Sequence, residues 1–159
     1  VLLYLAKMPV QFASQIQSQL GVRFLGGIKP KKKGFCVTRL KNRLAGEQLL
    51  QDEPDGFRLA GANVAQLAGE HRRVLVTGTL PEQDITRAAQ RLSAQLEGRD
   101  VTLIPSAGVN QSADAVNGLA ESDAVVFVER LQQSRLRDVL MEKERVELAD
   151  KPVLGYVLV

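Results

Sequence analysis

"VLVTGTLPEQDITRAAQRLSAQL", residues 74–96, is the stretch that sets the fold class of this chain. It begins with an apolar run of strand length, passes through a short turn, and continues as a helix that Pro81 can open at its first position. The apolar residues of the helical part share one face; they are Ile85, Ala88, Ala89, Leu92 and Leu96. The stretch therefore predicts a buried strand, a turn and an amphipathic helix.

The same alternation continues to the end of the sequence. The strand-like runs "VTLIP", "DAVVFVE" and "PVLGYVLV" alternate with the helical patterns "NQSADAVNGLAE" and "SRLRDVLMEKERVEL". Near-continuous Val, Ile and Leu strands between amphipathic helices are typical of a parallel sheet covered on both faces. Upstream, "SQIQSQLG" and "FRLAGANVAQLAG" predict helices, "VRFLGGI" predicts a strand, and residues 35–50 predict a strand-like start followed by a helix. We expect an α/β fold with a parallel sheet and helices on both faces.

Charge is distributed unevenly along the chain. Residues 1–50 carry nine lysine or arginine residues against one acidic residue, whereas the remainder carries twelve against seventeen. The densest basic run consists of Lys29, Lys31, Lys32 and Lys33. Such a run is either a solvated loop or a surface for an anionic partner. We do not expect nucleic acid as that partner, since the run has neither interleaved aromatic residues nor a recognition motif.

The chain contains a single cysteine, Cys36. One cysteine excludes a disulfide within the chain and a zinc site built from several cysteines, and we expect no bound metal. Cys36 is interpreted as a small apolar residue of the core. No apolar run in the sequence approaches the length that spans a bilayer.

The turn after the strand at residue 74 is where sheets of this kind bind anions. A phosphate loop of the form G-x-x-x-x-G-K-[ST] needs glycines for close backbone approach, a lysine for the phosphates and a hydroxyl for magnesium. Counting from Gly78 places Gln83, Asp84 and Ile85 at the second glycine, the lysine and the hydroxyl. A carboxylate repels a triphosphate, so we interpret Glu82 and Asp84 as charges that complement the helix dipole.

The same turn carries a resemblance to a known family. "VTGTLPEQDIT" resembles the "VTS-x-x-PGEGKST" loop of bacterial tyrosine kinases, the cytoplasmic ATPase-like domains of capsule and exopolysaccharide export systems. Pro81 and Glu82 match, with one glycine deleted between them, and Thr86 matches the last position. In this alignment Asp84 again stands at the lysine position.

Further segments resemble the family in the same order. "IPSAGVNQSADA" resembles the second acidic motif, "IDTPPV…DA", but Pro105 replaces its magnesium-linked aspartate and Ala107 and Gly108 replace its two prolines. The segments "SDAVVFVERLQQSRLRDVL" and "PVLGYVLV" resemble its last strands and the helix between them. The family's strand with a "D-x-D" motif is deleted or merged in this chain.

The upstream part resembles the companion proteins of these kinases. "PVQFASQIQSQLGVRFLGGIKP" resembles the segment that follows the second transmembrane helix of polysaccharide chain-length determinants. "DGFRLAGANV" resembles the "EAYR-x-LRTN" helix through which the kinase domains pack into rings. In that helix Asp55 replaces the glutamate, Arg58 and Asn63 match, and Gly61 replaces the second arginine.

The resemblance implies a degenerate P-loop NTPase-like fold with a juxtamembrane-type segment at residues 1–34 and an α/β domain at residues 35–159, packed as one unit. It implies a non-catalytic, pseudokinase-like domain without a cofactor, at the cytoplasmic face of the inner membrane. Its partners would be polysaccharide polymerisation and export proteins. Further copies of the chain would bind through Asp55, Arg58 and Asn63, and anionic lipid would bind through the lysines of residues 29–33.

Two other functions stay open at this point. The chain could be an ATP-binding tyrosine kinase or ATPase with an unorthodox phosphate loop, in which Arg87 or Arg91 replaces the missing lysine. It could also be a small-ligand or regulatory domain whose crevice at the strand ends is lined by Ser106 and Asn110. Nucleotide binding separates the first alternative from the non-catalytic interpretation.

Overall fold

The computed structural model describes residues 9–10, 13–29 and 50–159. Over these residues the chain forms five helices and five strands. The helices are α1 (Ala13–Leu20), α2 (Glu53–Ala68), α3 (Glu82–Gln95), α4 (Ala113–Glu121) and α5 (Leu136–Leu148). The strands are β1 (Phe24–Gly27), β2 (Arg73–Thr77), β3 (Thr102–Pro105), β4 (Ala124–Glu129) and β5 (Val153–Leu158).

The five strands form one parallel sheet in the order β1-β5-β4-β2-β3. The predicted parallel α/β fold is confirmed. β3 is the only strand between α3 and β4, and α4 follows it. β1 lies at one edge and pairs along β5, from Phe24 opposite Tyr156 to Gly27 opposite Leu158. The segment before position 34 therefore contributes its strand, β1, to the same sheet as the other four strands.

Both faces of the sheet are covered, and alternate residues of each central strand point to opposite faces. Val74 and Val76 of β2 pack with α2 and α3, whereas Leu75 packs with α1, α4 and α5. The helical residues that cover the first face include Phe57, Val64, Ile85 and Leu92, and those that cover the second include Ile16, Leu119, Val139 and Val146. Burial on both sides explains why the strands read as continuous apolar runs.

The edge strand β1 is held closely against α2. A Cβ atom on Gly56 would lie 2.6 Å from the carbonyl oxygen of Gly27, so only glycine allows this approach. The side-chain amide of Asn63 donates a hydrogen bond of 2.6 Å to the carbonyl oxygen of Leu25. These contacts fix β1 to the helix as well as to β5.

The sequence-based boundaries differ from the structure in small ways. The helix predicted from "SQIQSQLG" is α1, which begins one residue earlier, at Ala13, and is followed by Gly21 in the left-handed conformation with φ 65°. The element expectations for residues 35–49, and Cys36 with them, lie outside the described residues. None of the helices in the described ranges is both long and apolar enough to cross a bilayer.

Candidate functional site

The crevice between the carboxyl ends of β2 and β4 is the expected position of a ligand site in a parallel sheet. The two strands pair directly, with Thr77 opposite Phe127 at their carboxyl ends. The chain leaves β2 towards α3 on one face of the sheet and leaves β4 towards α5 on the other. Ligands of parallel α/β sheets bind outside the strand ends at such a switch point.

A carboxylate of the chain itself fills this crevice. Glu129, the last residue of β4, is fully buried. The backbone N–H of Thr79 donates to its Oε1 over 3.1 Å. The hydroxyls of Thr79 and Ser134 each donate to its Oε2 over 2.5 Å. Backbone N–H groups of a phosphate loop would bind an external phosphate, whereas here one of them binds an internal carboxyl group.

The loop after β2 is packed too tightly to admit a further group. A Cβ atom on Gly78 would lie 2.1 Å from the carbonyl oxygen of Val128. On its other side, a Cβ atom on Gly108 would lie 2.9 Å from the carbonyl oxygen of Gly78. The Thr77 hydroxyl also donates to the carbonyl oxygen of Ala107 over 2.9 Å. The loop is thus held between the end of β4 and the segment that follows β3.

A second buried acid lies beside this loop. Glu142 of α5 is only 2 % exposed, and its Oε2 has no hydrogen-bond partner in the part of the chain described. Its Oε1 would lie 2.2 Å from a Cβ atom on Gly108. We call Glu129, Glu142, Thr79 and Ser134 the carboxyl cluster. Within the described ranges, no three His, Cys, Asp or Glu side chains are grouped as a metal site.

Burial makes both acids weak. Desolvation, followed by the charges of Glu129 and Asp138, raises the pKa of Glu142 to about 8. Desolvation raises the pKa of Glu129 to about 7, although its hydrogen bonds from Ser134 and Thr79 oppose the rise. The carboxyl cluster therefore retains protons near neutral pH.

The residues of the degenerate phosphate loop are brought together only in part. Pro81 precedes α3, whose first residue is Glu82, and Glu82 and Thr86 lie on the outer side of the helix start. The Asp84 carboxylate accepts a hydrogen bond of 3.3 Å from Arg130. Asp84 is therefore engaged in an ion pair besides lying at the helix N-terminus. Pro105, in the degenerate acidic motif, ends the edge strand β3 and is exposed.

This donor set does not fit a triphosphate. The Thr79 N–H is bonded to Glu129, the Gly78 backbone rests on Val128, and Asp84 stands where the lysine would be. A triphosphate in this loop would bring further negative charge near the Asp84 carboxylate, which Arg87 and Arg130 already pair. Two unit charges 4 Å apart interact by about 4 kcal/mol at the effective dielectric constant of a protein surface.

A separate, open cavity of about 560 Å³ lies outside the ends of β1, β4 and β5. Its charged lining comprises Lys29, Arg87, Arg91, Arg130, Glu53 and Asp84, and its apolar lining includes Ile28, Phe57, Ala88, Leu131 and Leu158. We call it the cationic crevice. It contains both arginines that the sequence named as substitutes for the lysine, and it adds Lys29 and Arg130 to them.

The cations of the crevice already have acidic partners. Arg91 forms an ion pair with Glu53 and lies over the Phe57 ring, 5.6 Å from its centroid. Arg87 and Arg130 lie 3.8 Å and 3.3 Å from Asp84 oxygens. An anionic ligand would have to compete with these pairs.

The candidate contact residues of α2 take different positions. Asp55 and Arg58 form an exposed ion pair of 3.5 Å, whereas the Asn63 amide points inwards to β1. Lys29 lies 3.7 Å from Asp52, and Lys31, Lys32 and Lys33 lie outside the described residues. Ser106 and Asn110 follow β3 and do not line the cationic crevice; Asn110 accepts a hydrogen bond from Arg145 over 3.4 Å.

Sequence reasoning missed Glu129, Ser134 and Glu142. Glu129 ends the apolar run "AVVFVE", so its position at the carboxyl end of a central strand was visible in the sequence. Glu142 lies three residues after Val139 and four before Val146, at the spacing of the buried helix face. An acid on a buried face is the signal that could have identified it. Ser134 gave no such signal, because it lies in an irregular segment.

Comparisons with known proteins agree with this architecture. No protein-family model matches the sequence, and no curated protein matches it. Among solved structures, the chimerical protein CapA2B2 is similar with a TM-score of 0.64 and 16% identity, over 91% of this chain and 97% of that one. The BceF tyrosine kinase domain is similar with a TM-score of 0.61 and 10% identity, over 95% and 98%. The resemblance read from the sequence is thereby confirmed at the level of the fold, and the chain adopts the P-loop-like α/β fold of a tyrosine kinase domain.

Proposed function

We propose that the chain is a non-catalytic, tyrosine-kinase-like domain of a polysaccharide chain-length regulator. It acts by protein contacts on the polymerisation and export of capsule or exopolysaccharide at the cytoplasmic face of the inner membrane. The observation that carries this proposal is the carboxyl cluster, in which the Glu129 carboxyl group accepts hydrogen bonds from the backbone N–H and the hydroxyl of Thr79 in the phosphate loop. The fold and the order of the sequence motifs support the choice of family.

The absence of catalysis follows from charge and packing. Phosphoryl transfer depends on cations that neutralise charge developing on the phosphates. In this chain Asp84 stands at the position of the phosphate-loop lysine, and the Glu129 carboxyl group accepts the hydrogen bond of the Thr79 N–H in the loop. Neither group stabilises a phosphoryl transition state, so a surface role is the simpler use of the fold.

Protein and membrane contacts are assigned to exposed charges. Asp55 and Arg58 on α2 would contact a neighbouring copy in a homo-oligomer. Asn63 would act indirectly, because its amide supports β1 behind that helix. Lys29 with Lys31, Lys32 and Lys33 would face anionic lipid, where each basic residue contributes about 1 kcal/mol.

The test of this proposal is a calorimetric titration of the full chain with Mg-ADP and Mg-ATP. We expect no binding with a Kd below about 100 μM. Binding tighter than this would be stronger than the incidental capture of an anion. Saturable binding below that value would reject the non-catalytic function.

The second candidate is an ATP-binding tyrosine kinase or ATPase, and the cationic crevice is the observation that favours it. In that case the phosphates would lie among Arg87, Arg91 and Arg130 instead of in the loop. The variants R87Q and R91Q would then abolish nucleotide binding, whereas T86A, on the outer side of α3, would leave it unchanged. We rank this candidate second because each of these cations is already paired with a carboxylate.

A further inference from the structure

A short N-terminal strap, Pro9 and Val10, is bound to the segment that follows β4. Pro9 forms an antiparallel bridge with Arg135. The Val10 N–H donates to the carbonyl oxygen of Ser134 over 2.7 Å, and the Val10 carbonyl oxygen accepts a hydrogen bond from Gln132 N–H over 2.6 Å. The Val10 side chain is fully buried in the core on the α1 side of the sheet. The strap is therefore held by both backbone and apolar contacts.

The segment that receives the strap is conformationally strained. Gln132 has φ 64°, in the left-handed region that residues with a Cβ atom rarely adopt. Its N–H is the donor to Val10. Strained backbone of this kind persists where surrounding contacts hold it, and it recurs in segments that switch between states.

From this segment an unbroken series of direct contacts leads to the phosphate loop. Ser134 is 2 % exposed, and its hydroxyl donates to the Oε2 of Glu129 over 2.5 Å. The Glu129 carboxylate in turn accepts from the backbone and hydroxyl of Thr79. The series therefore runs from Val10 through Ser134 and Glu129 to Thr79, and it joins three segments that are far apart in sequence.

We propose that the strap is a latch on the phosphate loop: while Pro9 and Val10 are docked, Ser134 holds Glu129 in the phosphate loop, and release of the strap frees the Thr79 N–H. The inference concerns the regulation of the same site and rests on the proposed function, in which Glu129 closes the loop. A protein or lipid contact that binds the undocked strap would shift the population towards the open loop.

Amide hydrogen exchange at Thr79 in the full chain tests the latch. V10P removes the N–H that bonds Ser134 while it keeps an apolar side chain. S134A removes the hydroxyl that bonds Glu129 and leaves the strap bonds in place. Both variants should speed exchange of the Thr79 amide by about tenfold, the effect of one lost hydrogen bond on a local opening. Amides of the central strand β4 should be unaffected.

Two control variants separate the latch from a general loss of packing. I16V loosens the same apolar core from α1 and leaves the hydrogen bonds between the strap and the segment after β4 in place, so it should leave Thr79 exchange unchanged. Q132G relieves the strained turn while its N–H remains, and it should not speed exchange at Thr79. If V10P and S134A fold and Thr79 exchange is unchanged, or if I16V has the same effect as V10P, the latch is rejected.

These exchange measurements contain no nucleotide, so their outcome is separate from that of the proposed function. If wild-type protein binds Mg-ATP tightly while V10P still speeds Thr79 exchange, the non-catalytic function fails and the latch stands. If nucleotide does not bind and V10P has no effect on Thr79, the latch fails and the non-catalytic function stands.

Discussion

The carboxyl cluster and the cationic crevice both lie at the carboxyl ends of the strands, but they differ in charge and in exposure to solvent. The carboxyl cluster is closed, acidic and buried, and its hydrogen bonds come from residues on two different loops. The cationic crevice is open, and each of its arginines is paired with a carboxylate near solvent. The difference shows that the loop after β2 is closed by an internal acid, while the basic side chains lie beyond it.

The pH dependence of stability should give the largest contrast between the regions. The pKa of Glu142 is raised above its ordinary value of 4.5 to about 8, so the folded state favours its protonated form. Stability should therefore be highest near pH 5 and fall as pH rises towards 8, by about 1.4 kcal/mol for each unit of raised pKa at most. Urea unfolding of wild type and E142Q at pH 5 and pH 8.5 measures this change in the free energy of unfolding.

The E142Q variant isolates the buried acid. It should match wild type at pH 5 and be more stable at pH 8.5, because glutamine cannot ionise. The backbone N–H groups of Arg73 and Arg72 lower the pKa of Asp123 below its ordinary value of 3.8, so this carboxyl titrates outside the pH window of the experiment. Parallel pH profiles for the two proteins would contradict the assignment of a buried, protonated Glu142.

A methyl group at Gly78 should be the most damaging small substitution in the closed region. G78A places a Cβ atom 2.1 Å from the Val128 carbonyl oxygen, a backbone atom that cannot move aside. We expect a loss of about 3 kcal/mol in the free energy of unfolding, at the upper end of overpacking effects. The matched control is G118A on α4, where the nearest atom is a Leu75 methyl at 3.4 Å; it should be neutral or stabilising. Equal losses in the two variants would contradict the tight packing of the loop.

Removal of one acid from each region compares the two directly. E129A leaves the Thr79 and Ser134 donors without an acceptor in a buried site, and we expect a loss of about 2 kcal/mol. E53A removes the partner of Arg91 near solvent, where ion pairs contribute about 0.5 kcal/mol. Chemical denaturation of both variants at pH 7 checks the difference. A larger loss in E53A than in E129A would reverse our description of the two regions.

Asn63 should affect the wall of the cationic crevice and not the carboxyl cluster. N63A removes the hydrogen bond from α2 to the Leu25 carbonyl oxygen, and α2 and β1 both border the crevice. We expect a loss of about 1 kcal/mol and faster amide exchange in β1 only. R58A, on the exposed side of the same helix, should leave stability unchanged. Faster exchange at Thr79 in N63A would show that the two regions are coupled.

The helices and strands could be predicted because the apolar pattern of each one lies within a continuous stretch of sequence. The apolar runs ending at Thr77 and Glu129 are buried on both faces, and the helix after Pro81 shows its apolar stripe. The order of the strands could not be read in this way. The pairing of β1 with β5 depends on how α2 packs over this edge strand. Gly26 and Gly56 allow that close packing, but glycines at these positions do not by themselves predict it.

The candidate site was harder to predict because its partners are distant in sequence. Thr79 and Glu129 are 50 residues apart, and no local pattern indicates that a hydroxyl and a carboxylate will meet. The sequence alignment places Asp84 at the lysine position, but the pairing of Asp84 with Arg130 depends on the sheet order. Glu142 was within reach of sequence reasoning, since its spacing places it on a buried helix face.

The most direct test of the central claim follows the Thr79 amide by NMR during a titration of the full chain with Mg-ADP. If Glu129 closes the phosphate loop, the Thr79 resonance should keep its position up to millimolar nucleotide. A saturable shift of that resonance, with a Kd below about 100 μM, would mean that nucleotide displaces Glu129 and that the loop still binds phosphate.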